Sequence, residues 1–461
     1  MRLTGIHRVY FIGIGGIGMS ALARYFLSQG IHVSGYDRNP SEITNALTEL
    51  SADIHFEDSI HQIPADFLNT SKDELLVIYT PAIPKSHNEY SYFLANGYPM
   101  LKRAEVLGLI SSQFTSIAVA GTHGKTTTSS MIGHILMSSH QPVAAFLGGI
   151  TVNYQSNYFS AQHPSMVVLE ADEYDRSFLQ LSPNYAVITS MDPDHLDIYG
   201  NEDSVKESFH LFANRVNKNG LLFVKMGLDI DSDAPVITYG IDINADVYAD
   251  NIQIVEGRFE YDVFYQNQSL GRFSLSMGGR HNIENSLAAI AVCHALKIDT
   301  ESIRKGVFSF KGVKRRFEKV FESDKVVYVD DYAHHPEEIK ACIQGIRELY
   351  PKKKILGIFQ PHLYSRTRDF AAGFASSLSM LDELLLLDIY PARELPIEGV
   401  TSDLIYKNVT TSKQLVSSSE LLNKIEERLA EFQILLTIGA GDIDHFIHPI
   451  HQLLTRKFSL N

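Results

Sequence analysis

A lysine that follows a glycine and precedes three threonines has the makings of a phosphate site. In AVAGTHGKTTTS (118–129) the candidate nucleotide-binding residues are Gly121, Thr122, His123, Gly124, Lys125, Thr126 and Thr127. Glycines let backbone N–H groups curl round an oxyanion, Lys125 can reach β- and γ-phosphates, and the Thr126 hydroxyl can ligate Mg2+. The general phosphate-loop pattern wants a glycine where this chain has Val119, and the first glycine, Gly121, comes later. The groups that do the binding are nevertheless all present. A merely Thr-rich helix start with an exposed lysine leaves the glycine–lysine juncture unexplained.

Two acidic clusters could serve a metal-bound nucleotide. Glu170, Asp172 and Glu173 close the apolar run MVVLEADE, and Asp192, Asp194, His195 and Asp197 sit in MDPDHLD (191–197). Carboxylate and imidazole beside a triphosphate can hold Mg2+. Taken singly, each acid reads as a solvated loop carboxylate or a helix cap. Jointly they fall at the C-terminal ends of neighbouring strands, where open α/β sheets bind ligands.

A second glycine run, GIGGIG (13–18), follows a strand and opens a helix, and Asp37 lies nineteen residues beyond Gly18. That spacing matches a dinucleotide fingerprint with its ribose-binding acid, so NAD is the first ligand to consider. The chemistry requires less. A tight turn with free N–H groups at a helix N-terminus binds any pyrophosphate, and a UDP-sugar satisfies the same loop.

The elements that must position these residues alternate. RVYFI (8–12), HVSGYD (32–37) and ELLVIYT (74–80) read as strands, with helical spacing after Met19. TSIAVA (115–120), MVVLEAD (166–172), YAVITSM (185–191) and GLLFVK (220–225) form a second set, and KVVYVDDY (325–332), KILGIF (354–359), DELLLLDIY (382–390) and ILLTIGAGD (434–442) a third. Strand–helix alternation predicts mostly parallel sheets covered on both faces. Residues 245–275 alternate polar and apolar and read as an antiparallel insertion, closed by a helix over 283–297. Three α/β domains in series follow, with boundaries at 1–110, 111–310 and 311–461.

A chain of 461 residues fits about three domains by size. Its 40 basic and 54 acidic residues give a formal charge of −14, which argues against generic nucleic-acid binding. Phosphate must therefore be held by local donors. The two cysteines, Cys293 and Cys342, form no CxxC pair; Cys342 shares helical spacing with Ile339, Ile343 and Ile346 and reads as a buried apolar residue in a reducing compartment. The first 23 residues imitate a secretory signal, but the glycines of the turn would weaken its helix, and no apolar run approaches the ~20 residues of a membrane span. The expectation is a cytoplasmic protein without membrane insertion, monomer or homodimer.

The ordered set GIGGIGM, GTHGKTTT, EADEYDRSFL, DPDHLDIY, GRHNIENSLAA, RRFE, DDYAHHP and QPHLYSRT closely resembles the Mur ligases over nearly the whole chain. The resemblance implies a Rossmann-like N-terminal domain, a central P-loop ATPase-type domain and a C-terminal Rossmann-like α/β domain that closes over the nucleotide. It implies ATP-dependent addition of L-alanine to UDP-N-acetylmuramate through an acyl phosphate, with Mg2+. It reassigns the first glycine run to the UDP-sugar, carried by Gly15, Gly16, Ile17, Gly18 and Asp37, with Thr80 and Arg103 as further candidates. Lys125 and Thr126 handle the ATP phosphates and a first Mg2+, Glu170 is a metal ligand and His195 holds a second Mg2+. His281, Asn282 and Asn285 correspond to adenine contacts, Arg316 to a phosphate contact and Asp331 to the ribose-binding acid. His334, His335, His362, Arg366 and Arg368 belong near the reacting centre and the amino-acid carboxylate, with Lys125, His334 and Arg366 as the catalytic set. Asn282 and His335 could equally cap helices. Leu363 departs from members that carry arginine there, which shifts the carboxylate clamp to Arg366 and His362. A recycling ligase that attaches a whole peptide to the same UDP-sugar shares most of these motifs, and the GIGGIGM loop favours L-alanine. A nucleotide-sensing protein binding NAD and ATP would leave RRFE, DDYAHHP and QPHLYSRT without a task.

Overall fold

Arg8–Ile12 sends its side chains alternately to two cores, as a strand of period two must. Val9 and Phe11 join one core and Tyr10 and Ile12 the other, all fully buried. A strand apolar on both faces belongs inside a parallel sheet. The computed structural model that shows this describes Leu3, residues 5–192, Tyr199, residues 201–392 and residues 394–458.

Three sheets organise the described residues. The first has the order Asp53–His55, His32–Tyr36, Arg8–Ile12, Leu75–Tyr79, Met100–Lys102, and every pairing is parallel. The second centres on Thr115–Ala120, flanked by Tyr185–Ile188 and Met166–Glu170, both parallel to it. Beyond Met166–Glu170 lie Val143–Thr151 and Ser156–Ser160. Beyond Tyr185–Ile188 come Leu221–Lys225, Val236–Gly240, Val247–Val255, Arg258–Tyr265 and Gln268–Leu275. The third sheet runs Glu318–Glu322, Val327–Asp331, Ile434–Ile438, Ile355–Phe359, Glu383–Leu386, Ser412–Leu415, with only its first strand antiparallel. Among the described residues no helix is long and apolar enough to cross a membrane.

The chain divides into two units. One comprises Met1–Asp250, Asp262–Phe273 and Glu284–Phe310; the other comprises Asn251–Tyr261, Ser274–Ile283 and Lys311–Asn461. In the first unit a single core joins Val9, Phe11, Leu22 and Phe26 to Phe146, Val167 and Leu169. Tyr25 packs its ring 5.4 Å from Phe146 and 6.1 Å from Tyr158. Burying a side chain of this size stabilises by roughly 1.5–3 kcal/mol, so the two nucleotide-type loops stand on shared packing. The second unit has its own core around Tyr328, Leu356, Ile358, Leu385 and Leu435. Cys293 and Cys342 are both buried and unbridged.

A polar cluster is set into the core beneath the first sheet. The Tyr10 hydroxyl donates to Glu89 Oε2 at 2.8 Å, and His55 Nε2 lies 2.7 Å from the same hydroxyl. Glu89, fully buried, also accepts from the Ser59 N–H. His87 caps the helix Asn88–Ala95 and lies 3.1 Å from Asp58.

Candidate active site

The loop from Gly121 to Gly124 is tied to the neighbouring strand rather than left free. The Thr189 hydroxyl donates to the Ala120 carbonyl at 3.1 Å and to the His123 carbonyl at 2.5 Å. His123 N–H donates to Ser190 Oγ at 2.8 Å, and Thr122 Oγ1 pairs with the same hydroxyl at 2.8 Å. Gly124 precedes the helix Lys125–Ser138 at φ +81, a left-handed backbone that favours glycine. The helix N-terminus thus presents its N–H groups at a fixed place, as an anion site requires. Thr126 and Thr127 stand in its first turn.

Lys125 points back across this loop. Its ammonium donates to the Gly121 carbonyl at 2.6 Å, to the Thr122 carbonyl at 3.4 Å and to Glu173 Oε1 at 2.8 Å. The Glu173 side chain is only 2% exposed. Burial pushes the Glu173 carboxyl up, and Lys125 pulls it back. Asn285 joins the loop from its own helix: its Oδ1 accepts from Thr128 at 3.2 Å and would lie 2.6 Å from any Cβ at Gly124.

A cavity of about 300 Å³ opens in the same unit. Gly16, Ile17, Gly18, Thr80 and Arg103 line one side; Phe146, Leu147, Gly148, Glu170 and Asp172 line the other. Glu170 ends its strand with Oε2 accepting from Gly148 N–H at 2.9 Å. Arg103 Nη2 donates to Asp172 Oδ2 at 3.2 Å, and its guanidinium lies over Gly18, where a Cβ would meet Nη1 at 2.8 Å. Asp37 accepts the Gly15 N–H at 2.7 Å, so one of its oxygens braces the glycine turn itself. A Cβ at Gly15 would stand 2.8 Å from that oxygen.

In the second unit the two arginines of RRFE separate. Arg315 is structural: Nε donates to the buried Asp330 at 3.1 Å and Nη2 to the Gly439 carbonyl at 2.5 Å. Arg316 is exposed and lies 5.5 Å over the Tyr332 ring. Asp331 accepts from Phe317 N–H and from Ala333 N–H, each at 2.7 Å, and burial pushes its carboxyl up to about 6. His334 Nδ1 lies 2.9 Å from the Tyr332 carbonyl, so it carries the hydrogen and Nε2 keeps its lone pair. Burial lowers the His334 pKa against the opposing pull of Glu338 and the Tyr332 carbonyl, and Arg366 and Arg316 lower it further. The His334 ring meets His362 edge to face at 6.3 Å, and His362 Nδ1 lies 3.4 Å from Arg366 Nη1. His335 stands at the N-cap of the helix Pro336–Leu349, where Glu338 Oε2 accepts from its N–H at 3.2 Å, and its ring meets Phe370 edge to face at 4.7 Å. Arg368 is exposed and donates to Asp369 at 2.7 Å; two residues along the helix from Arg366, it faces away from the histidines.

Three family models match in chain order: "Mur ligase family, catalytic domain" over residues 8–115, "Mur ligase middle domain" over 119–293 and "Mur ligase, glutamate ligase domain" over 315–441. The chain belongs to the Mur ligase family. Among Mur ligases, the UDP-N-acetylmuramate–L-alanine ligase of Flavobacterium psychrophilum is 51% identical over 458 residues, covering 99% of this chain and 100% of that protein. That of Cytophaga hutchinsonii is 46% identical over 465 residues, with 99% of each covered. The crystal structure of a UDP-N-acetylmuramate–alanine ligase from Thermotoga maritima superposes with a TM-score of 0.81 at 27% identity, covering 98% of this chain and 99% of that one.

Set against this Mur ligase framework, the site residues fall into distinct groups. Gly121–Thr127, Glu170 and Asn285 gather round the loop and strand ends of one sheet, and Gly16–Gly18, Thr80 and Arg103 share the cavity with Glu170. His334, His362 and Arg366 cluster in the other unit. Asn282 spends its amide on the Gly278 carbonyl at 2.7 Å, bracing the turn before its helix, and His281 packs over Gly279. His195 lies outside the described residues. Sequence reasoning missed Thr189 and Ser190, which fasten the loop, and Tyr390, whose ring stacks on His362 at 5.9 Å. Two hydroxyls directly after an apolar strand were the available signal for the first pair.

Proposed function

We propose that this chain is the ligase that joins L-alanine to the carboxylate of UDP-N-acetylmuramate at the expense of ATP; its near relatives bear the name UDP-N-acetylmuramate–L-alanine ligase. The observation that carries the reading is the cavity in which the glycine turn faces Glu170, a strand end beside the lysine-bearing loop. A sugar nucleotide seated on the turn brings its acid toward the nucleotide phosphates, whereas a redox cofactor would have no use for a P-loop lysine.

In this reading a carboxylate oxygen attacks the γ-phosphorus, ADP leaves and an acyl phosphate forms. The amine of L-alanine then attacks the acyl carbon, the amide forms and inorganic phosphate departs. Phosphoryl transfer needs positioning and charge neutralisation more than covalent chemistry, which suits Lys125, the helix N-terminus and Arg316. The amine must be neutral to attack. His334, kept uncharged by burial and with Nε2 free of the backbone bond, suits acceptance of its proton. Arg366 and His362 suit the amino-acid carboxylate.

Mg2+ fits the residues available. Among the described residues no three His, Cys, Asp or Glu side chains converge, and Mg2+ characteristically takes one or two protein ligands plus phosphates and waters. Thr126 and Glu170, one of whose oxygens is held by Gly148, would hold it, and the ion would supply charge neutralisation at the triphosphate.

The test is phosphate release from ATP. It should require UDP-N-acetylmuramate and a free amino acid together, with L-alanine preferred over glycine and serine, and NAD should have no effect. Turnover with a murein peptide in place of L-alanine would assign the chain to peptide recycling. ATP binding without ligation would make it a sensor.

A further inference from the structure

A phosphate-binding lysine needs a free ammonium, yet here Lys125 has none to spare. Its three N–H bonds go to the Gly121 carbonyl, the Thr122 carbonyl and Glu173. Glu173 in turn has both carboxylate oxygens 2.8 Å from the same nitrogen, and among the described residues Oε2 has no other hydrogen-bond partner. A buried carboxylate holds such a cation strongly, because separation leaves the acid desolvated and unpaired.

Glu173 is also poorly placed to follow the lysine elsewhere. Its carbonyl accepts the Tyr199 hydroxyl at 2.5 Å. The residues just beyond it, Asp175 and Arg176, hold successive left-handed conformations at φ 52 and 53. On either side the segment is pinned by ion pairs: Asp172 to Arg103 and Asp175 to Lys102, both at 3.2 Å. Phosphate that takes Lys125 must therefore take it away from Glu173.

We infer that Glu173 is a positioning residue that competes with the β- and γ-phosphates of the nucleotide for Lys125. It keeps the ammonium folded against the loop until a polyphosphate arrives, and it weakens the binding of any nucleotide that reaches Lys125. This rests on the ATP-dependent reading above and adds to it a determinant of nucleotide affinity.

The experiment is isothermal titration of AMP-PNP and of AMP into the full-length protein at fixed MgCl2. Glu173→Gln keeps the shape and removes the charge. It should bind AMP-PNP about tenfold more tightly, the order of couplings within one ion-pair network, with AMP affinity unchanged because AMP has no phosphate that reaches Lys125. Glu173→Asp, which keeps the charge but withdraws it by one methylene, should show an intermediate gain and serves where the glutamine variant does not fold. Adding Lys125→Met to Glu173→Gln should abolish the gain. Unchanged or weaker AMP-PNP binding in a folded Glu173 variant overturns the inference, as does an equal gain for AMP. A wild-type protein that binds no AMP-PNP overturns the ATP reading and this inference with it.

Discussion

Lys125 already holds one anion, Glu173, and in the proposed reaction it must serve a second. Replacing it with methionine should lower kcat by about 10²–10³, the scale of losing one preorganised donor at a developing charge (roughly 3–4 kcal/mol of barrier). It also strands Glu173 in a site where only 2% of its side chain reaches solvent. The single variant should therefore lose about 3 kcal/mol of stability as well, and Lys125→Met with Glu173→Gln should regain most of it while staying inactive. Urea unfolding of both variants beside the phosphate-release assay separates the two effects. The lysine stood out in the sequence as a candidate because its spacing to Gly124 and Thr126 matches a phosphate loop. Glu173 stood in the same acidic run as Glu170 and Asp172, but which of the three is buried, and on what, depends on depth, which spacing does not report.

At the scale of elements, the loop works because its glycines leave room for other side chains. Gly124→Ala combines a left-handed backbone at φ +81 with a methyl group 2.6 Å from Asn285 Oδ1. It should cost about 1–2 kcal/mol for the backbone alone and additionally weaken AMP-PNP binding as Asn285 and the loop shift. Gly30→Ala, at φ +75 with nothing within 4 Å, bears only the backbone cost and should leave binding untouched. Equal loss of binding in both would refute the packing argument. The inner parallel strands were readable because both their faces are apolar: RVYFI runs Arg8–Ile12 as expected, and KILGIF appears as Ile355–Phe359. Some outer strands were not, although the alternation over 245–275 does appear as the outer strands Val247–Val255, Arg258–Tyr265 and Gln268–Leu275. Val143–Thr151 carries Gly148 and Gly149, which break its apolar pattern, and Asp53–His55 and Met100–Lys102 are too short to show a period. The helix expected over 283–297 begins at Arg280, because the Gly278 and Gly279 stop signal lies just upstream of it.

For the molecule as a whole, a formal charge of −14 must coexist with a reaction whose substrates are anionic, so binding depends on the local cations and N–H groups described above. Stability will depend on pH through the core of the first sheet. Burial pushes the Glu89 carboxyl up to about 7, so the folded chain holds a proton there that the unfolded chain releases near its ordinary value of 4.5. Its contribution is therefore fully present below about 4.5 and disappears as pH rises through 7. His55 and His87 act in the opposite sense, since burial lowers both. The informative quantity is the difference between wild type and Glu89→Gln: from pH 5.5 to 8 the wild-type urea midpoint should fall relative to that of the variant. Parallel midpoints would show that Glu89 is ionised throughout. The order of the three domains could be read from the motifs, whereas this cluster could not, since Tyr10, His55 and Glu89 meet only after the strands have paired.

Glycines in the first unit have given their side-chain space to candidate site residues: Thr80 stands where a Cβ of Gly13 would be, Asp37 at Gly15, Arg103 at Gly18, Asn285 at Gly124 and Glu170 at Gly148. Each pair behaves as one unit of volume shared between distant parts of the chain. Across related sequences such positions should covary, a larger residue at 18 arriving only where 103 has shrunk, and the same tie should join 148 to 170.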